Sequence, residues 1–197
     1  MNSLIAAMAV FAFVGAVTPG PVNLLATSTA VNSGFQRAAW HVLGASFAYA
    51  LVVFVCGSVM HSLLDLLPKL ELFMQIAGSL FLLYLAFKIY NAPPGSVSGE
   101  HALNSGLITG SLSQLLNPKA WLYATSGVSI YVIGNENEGV ALSVFTTVSL
   151  IVCILGVGVW ALLGRVLVNH LENPARQRQF NKGMAFLLFG TVAMIWV

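Results

Sequence analysis

Residues 3–31 read SLIAAMAVFAFVGAVTPGPVNLLATSTAV, an apolar stretch that the turn-forming sequence Thr18-Pro19-Gly20-Pro21 interrupts. A helix needs about 20 apolar residues to cross the hydrocarbon core of a bilayer, and this stretch is long enough. No Lys or Arg precedes Arg37, so the basic region that begins a signal peptide is missing. We therefore expect a retained first transmembrane helix that contains a break.

The composition of the whole chain also indicates a membrane protein. Of its 197 residues, 58% are hydrophobic and 7% are charged, whereas a soluble domain carries about 25% charged residues. Eight basic and six acidic side chains are too few to cover a soluble protein. A lipid-facing helix needs no such cover, because it satisfies its own backbone hydrogen bonds. The predicted fold class is therefore an all-α membrane protein.

Apolar segments long enough to span a membrane predict six transmembrane helices in a single domain over residues 1–197. They lie near residues 3–31, 38–60, 70–91, 106–131, 140–164 and 180–197. The segments between them are polar or turn-forming, among them the stretch around Asp65 and Pro68.

The basic residues predict how these helices are oriented. Lys69 would lie on one side of the membrane, and a larger basic group would lie on the other. That group consists of Arg37, Lys88, Arg165, Arg176, Arg178 and Lys182. Because positively charged loops stay in the cytoplasm, we expect both termini on the non-cytoplasmic side.

The two halves of the chain resemble each other. Residues 24–29 (LLATST) match 122–127 (LYATSG), and residues 78–83 (GSLFLL) match 183–188 (GMAFLL). These matches predict repeats over about 1–91 and about 105–197, joined by a linker over about 92–104. With three spans each, the second repeat would be inverted relative to the first, as in many secondary transporters. Chance similarity between apolar helices is the alternative.

Proline motifs interrupt the first and the fourth predicted spans. Proline lacks an N–H and clashes with the preceding turn. Thr18 and Asn117 are favourable N-cap residues, and each precedes a proline at the first helical position. A half-helix that begins there would direct unpaired N–H groups and the positive end of its dipole into the protein, where they suit a carboxylate. The carbonyls that end the preceding half-helix would suit an ammonium group.

Such paired breaks are typical of a transporter's substrate site, although prolines can also kink helices for packing alone. The candidate substrate-binding residues are Thr18, Pro19, Gly20, Pro21, Asn23, Gln114, Asn117, Pro118, Lys119 and Tyr123. Gln114 and Tyr123 would either hydrogen-bond the substrate or pack between helices.

Lys119 needs a partner in the protein interior, since an intramembrane lysine costs about 2.5–3.5 kcal/mol on insertion scales. One interpretation is that it binds the substrate carboxylate or changes its protonation during transport. The other is that it is a structural lysine, hydrogen-bonded to the carbonyls that the first break releases.

No catalytic, metal-binding or cofactor-binding pattern is present. The sequence has no glycine-rich nucleotide loop, no metal-ligand spacing and no activated nucleophile, so we expect neither an enzyme nor a bound cofactor. The net charge of +2 is too small for a nucleic-acid surface. The expected partners are a small-molecule substrate and the lipid bilayer. Gly106 and Gly110 permit close helix packing within or between subunits, which leaves a homo-oligomer open.

At the proline motifs the sequence resembles the LysE/RhtB family of amino-acid exporters. The matching features are Thr18-Pro19-Gly20-Pro21, Asn117-Pro118-Lys119-Ala120, Gly34-Phe35-Gln36-Arg37, Ala77-Gly78 and Leu83-Tyr84-Leu85. In the family, Asn commonly follows Pro-Gly-Pro directly, whereas here Val22 intervenes before Asn23. The resemblance implies export of amino acids or their derivatives from the bacterial cytoplasm, across the inner membrane, driven by an ion gradient. We take the ion to be the proton.

The acidic residues give information about the cargo. They are all loop or end residues of the predicted spans: Asp65, Glu71, Glu100, Glu136, Glu138 and Glu172. Because a cationic side chain would need an anionic partner in the low-dielectric interior, we expect a neutral amino acid. His41 and His61, near opposite ends of the second span, titrate closest to physiological pH, and they either carry protons or reach the interface. A channel and a non-transporting structural membrane protein are the alternative functions.

Overall fold

The computed structural model describes residues 2–94 and 102–196. Helices joined by short connections make up this part of the chain, and it contains no strand. They are α1 (Asn2–Val17), α2 (Pro21–Ser33), α3 (Phe35–Ser58), α4 (Met60–Tyr90), α5 (Ala102–Leu115), α6 (Pro118–Tyr131), α7 (Glu138–Val168) and α8 (Pro174–Ile195). Part of the predicted linker, residues 95–101 with Glu100, lies outside the described residues. The all-α prediction is confirmed.

Several of these helices can cross a membrane by length and composition. Within the described residues, Phe35–Ser58, Leu72–Tyr90 and Glu138–Val168 qualify on their own. The pair α1 and α2 qualifies together, as one broken span or as a re-entrant loop, with its two parts bent by 60° at the break. The helices α5 and α6 have 14 residues each, and α8 begins with the polar sequence PARQRQFNK.

One predicted connection is wrong. The stretch around Asp65 and Pro68 is helical and belongs to α4, and only Val59 separates α3 from α4. Apart from its proline, the sequence of residues 63–73 (LLDLLPKLELF) is rich in the strong helix formers Leu, Glu and Lys. That propensity outweighs the single missing N–H of Pro68.

Glycine residues let α5 pack directly against α3. A Cβ atom added at Gly106 would lie 2.6 Å from the carbonyl oxygen of Arg37. One added at Gly110 would meet the carbonyl oxygen of His41 and lie 2.9 Å from the amide nitrogen of Ala45. Both glycines therefore allow close packing between α5 and α3 of the same chain.

The helix α7 contacts α1 and α2 in a similar way. A Cβ atom at Gly156 would lie 2.6 Å from Cβ of Ala16, and one at Gly164 would lie 2.5 Å from the carbonyl oxygen of Thr27. The α3 and α7 helices also pack against each other, and their buried residues form most of the main hydrophobic core. The helices α3 and α7 therefore hold both broken segments in place.

The helices α4 and α8 form a second, smaller core with α2. Its buried residues are Leu24, Leu25, Leu82, Ala86, Met184, Ala185 and Leu188. The indole of Trp196 donates to the Ser79 hydroxyl at 2.9 Å and ties the two helices together near one end. Large apolar side chains on the outward faces, such as Phe87 at 70% and Phe186 at 69% exposed, form a surface that suits lipid rather than water.

Replacing Gly110 by alanine should destabilise the protein, because the new methyl group would collide with the α3 backbone. We expect a loss of about 1–3 kcal/mol, typical of overpacking, measured as a lower thermal unfolding temperature in detergent. Gly158→Ala is the matched control, since a Cβ atom there meets nothing within 4 Å. The close-packing interpretation fails if the two variants unfold at the same temperature.

Candidate functional site

The first helix break places the start of α2 at Pro21. Gly20 is the N-cap, with an extended backbone (φ −168°, ψ 176°), and no side chain caps this end. Thr18 is not the N-cap, contrary to the prediction, because its hydroxyl donates back to the Val14 carbonyl of α1. Thr18 and Gly20 each precede a proline, which disfavours helical backbone at both positions. The helix therefore begins at the second proline rather than the first.

Protein donors occupy the carbonyl groups that end α1. The side-chain amide of Asn23 donates to the carbonyls of Ala16 and Thr18, both at 2.9 Å. The indole of Trp160, on α7, donates to Val17 at 3.1 Å. Because such carbonyls would be costly if left unpaired in the membrane, these bonds make the break stable. They also occupy positions that the sequence suggested for a substrate ammonium group.

Lys119 reaches the first break from the second. Its ammonium donates to the Thr18 carbonyl at 3.4 Å and lies 5.5 Å from the centre of the Tyr123 ring. This is the contact expected of a structural lysine. The long hydrogen bond leaves the ammonium with donor capacity for a further ligand.

The second break places the start of α6 at Pro118. The Asn117 side chain accepts from the Lys119 amide at 3.2 Å, so the prediction that Asn117 is the N-cap is confirmed. The indole of Trp121 donates to the carbonyl of Leu115, the last residue of α5, at 2.8 Å. At each break an indole therefore satisfies the carbonyl that ends the preceding helix.

A cavity of about 40 Å³ lies where the two breaks meet. The predicted site residues that line it are Thr18, Gly20, Asn23, Gln114, Asn117, Lys119 and Tyr123. The predicted residues Pro19, Pro21 and Pro118 do not line it, and they instead set where each half-helix starts. Ligand pockets usually have volumes of about 300–1,000 Å³. In this conformation the cavity is therefore too small for an amino acid and has room for water at most.

The cavity wall also includes residues that sequence reasoning missed. Tyr49 comes from α3, and Cys153 and Val157 come from α7. Both polar side chains are buried, Tyr49 at 6% and Cys153 at 2% exposed. No break or charge marks these positions in the sequence. A polar side chain in the middle of an otherwise apolar helix was the one signal that could have identified them.

Lys119 gives the cavity a positive charge. Among the described residues that line it, Lys119 is the one cation and none is acidic. The N-terminus of α2 adds the positive end of a helix dipole. The arrangement can therefore attract a carboxylate, while offering a second cation no ionised partner.

His41 lies behind this wall rather than at the interface. It is fully buried, and its Nε2 atom is 3.2 Å from the carbonyl oxygen of Val22, a residue that lines the cavity. Its Nδ1 atom has no hydrogen-bond partner among the described residues. The side chain of His61 lies outside the described residues.

Known proteins match this chain over almost its whole length. Residues 13–195 match the family described as LysE type translocator. The chain belongs to this family. As a LysE type translocator it is a multi-pass transporter of the bacterial inner membrane and not an enzyme, so the resemblance to LysE/RhtB exporters is confirmed.

Similar relatives include several efflux proteins. The cysteine/O-acetylserine efflux protein of Escherichia coli strain K12 is 28% identical over 189 residues, 94% of each chain. The protein of the same name from Escherichia coli O1:K1 is 29% identical over 192 residues, again 94% of each chain. That of Shigella flexneri is 28% identical over 188 residues, 94% of this chain and 93% of the relative. No solved structure matches the chain.

Asn23→Ala should destabilise this translocator, because it removes the side-chain donor from the Ala16 carbonyl and leaves the Thr18 carbonyl with only the long bond from Lys119. Leaving buried acceptors unpaired costs about 1–3 kcal/mol, which thermal unfolding in detergent would register. Asn135→Ala is the control, since Asn135 also donates to a helix-end carbonyl, that of Tyr131, but on an exposed surface. Equal unfolding temperatures for wild type and Asn23→Ala would contradict this role.

Proposed function

We propose that the protein exports a small neutral amino acid, or a close derivative, from the cytoplasm. The observation that carries this proposal is the cavity between the two helix breaks, with Lys119 and no acidic residue in its lining. Lys119 and the amide groups at the start of α2 would bind the substrate carboxylate. The hydroxyl groups of Tyr49 and Tyr123 and the Gln114 side chain are placed to hydrogen-bond the rest of the substrate.

The absence of an acid from the cavity lining favours a neutral cargo. A substrate with a cationic side chain would bring an unpaired positive charge beside Lys119 in a low-dielectric site. The relatives named for cysteine and O-acetylserine efflux support a neutral substrate of this size. These relatives share about 28% sequence identity with the chain. Which neutral substrate each protein carries would depend on its own cavity residues.

We further propose six spans arranged as two inverted repeats. The pairs α1–α2 and α5–α6 would each be one broken span, with α3, α4, α7 and α8 as the others. The packing supports this: α3 contacts α5 and α6, and correspondingly α7 contacts α1 and α2. The helices α3 and α7 contact each other, as do α4 and α8. Exchanging the repeats maps the contacts of α3 with α5 and α6 onto those of α7 with α1 and α2, and it maps the α3–α7 and α4–α8 contacts onto themselves.

With six spans, the positive-inside rule places both termini on the non-cytoplasmic side. The small volume of the cavity favours a carrier that exposes its site alternately over a channel with a continuous pore. We take the proton as the coupling ion. His41 is fully buried beside Val22 of the cavity wall, and this position supports a role for His41 in the proton path.

A protonophore should then abolish uphill export from energised vesicles.

Lys119→Met should abolish exchange of labelled O-acetylserine or cysteine in proteoliposomes while the protein stays folded. We expect at least about a tenfold loss, because a hydrogen bond to a charged group contributes about 1.5–3 kcal/mol. Lys182→Met is the matched control: Lys182 also lies over a tyrosine ring, that of Tyr90, at 5.7 Å, but is exposed. Full exchange activity in Lys119→Met would overturn the proposed carboxylate site.

A substrate panel tests the proposed charge preference. Proteoliposomes loaded with a neutral amino acid should take up labelled serine, cysteine or O-acetylserine by saturable counterflow, whereas loading with lysine should give no signal. Robust lysine counterflow would refute the neutral-substrate proposal. Flux that neither saturates nor shows counterflow would favour a channel.

A further inference from the structure

A second cavity, of about 470 Å³, opens between α2, α3, α4 and α5. It shares no lining residue with the cavity at the helix breaks. One part of its wall is polar and basic and includes Thr29, Asn32, Arg37 and Lys88. Another part is apolar and includes Leu85 and Phe87. A cavity of this size is within the range of ligand sites.

An apolar groove of about 330 Å³ adjoins this cavity between α4 and α8. The two share Phe87 and Asn91. The groove is lined by apolar side chains such as Leu83, Phe186 and Phe189. Phe87, Phe186 and Phe189 are 60–70% exposed on the outward face, so the groove opens sideways to the bilayer rather than to water.

The described lining of these two cavities contains basic side chains and no acid. None of the residues in that part of the lining is an aspartate or a glutamate. Among the described residues, the Arg37 guanidinium has no ion-pair partner. The Lys88 ammonium lies 5.3 Å from the centre of the Tyr84 ring, a contact that leaves its hydrogen-bond donors available. Arg37 and Lys88 therefore form a basic region, the basic mouth, at one end of the apolar groove.

We infer that the two cavities together bind one anionic phospholipid. Arg37 and Lys88 would hold its phosphate, and an acyl chain would lie in the groove between α4 and α8. Basic pockets between transmembrane helices on the cytoplasmic side bind anionic headgroups. A soluble anion would use the basic mouth alone and would leave the adjoining groove unexplained. The choice of leaflet rests on the proposed orientation, whereas lipid binding does not depend on which substrate is carried.

Native mass spectrometry of the full chain in detergent tests this site with lipids of identical acyl chains. Phosphatidylglycerol should bind at lower concentration than phosphatidylcholine. The double variant Arg37→Gln/Lys88→Gln should weaken phosphatidylglycerol binding by about thirty-fold, from the contribution of two basic residues near an anionic group. Arg176→Gln/Arg178→Gln is the matched control, because it removes two exposed cations that line neither cavity, and it should bind the lipid as the wild type does.

Three results would overturn the inference. The first is unchanged phosphatidylglycerol binding by Arg37→Gln/Lys88→Gln, and the second is an equal loss in the control variant. The third is displacement of the lipid by glycerol phosphate or a neutral amino acid at the lipid's own binding concentration, which would indicate a small-anion or substrate vestibule. Because the readout is lipid binding, failure here leaves the transport proposal untouched, and failure of transport assays leaves this site untouched.

Discussion

Peptide groups at an interrupted helix cannot hydrogen-bond to lipid, so a break inside a membrane requires partners from the protein itself. In this translocator Asn23 supplies two such bonds at the end of α1, and Trp160 and Lys119 supply others from distant parts of the chain. The donors therefore join α7 and α6 to the first break. The same bonds that make an open backbone tolerable also bring the two breaks together around one cavity.

The sequence predicted most of the residues that line the cavity because the helix ends beside it have local determinants. The prolines identified where α2 and α6 begin, and the capping preference of asparagine identified Asn117 as the N-cap. The N-cap role expected of Thr18 was wrong, since Gly20 takes it, and Pro68 lies within a helix rather than a connection. At the first break either proline could begin the helix, and in α4 the helix propensity of the neighbouring residues opposes the effect of Pro68. The sequence alone does not give the relative strengths of these preferences.

What the sequence could not supply is the tertiary placement of unbroken helices. Tyr49 and Cys153 lie in the middle of α3 and α7, and only the packing of these helices brings them to the cavity. Likewise, Gly106 and Gly110 of α5 indicated close contact but not its partner, which proved to be the backbone of α3 in the same chain. In the proposed site, the small cavity would give substrate binding a physical cost: a ligand must widen it, and its carboxylate must compete with the Thr18 carbonyl for the Lys119 ammonium.

The most direct test is counterflow in proteoliposomes with the double variant Pro19→Ala/Pro21→Ala. Alanine at both positions restores the N–H groups and lets α1 continue as a helix, which would remove the uncapped start of α2 from the cavity. Pro174→Ala provides the comparison, since Pro174 also occupies the first turn of a helix but outside the cavity. We predict that the double variant folds but gives no exchange above empty liposomes, while Pro174→Ala exchanges normally. Exchange at the wild-type rate by the double variant would contradict a substrate site built from the two helix breaks.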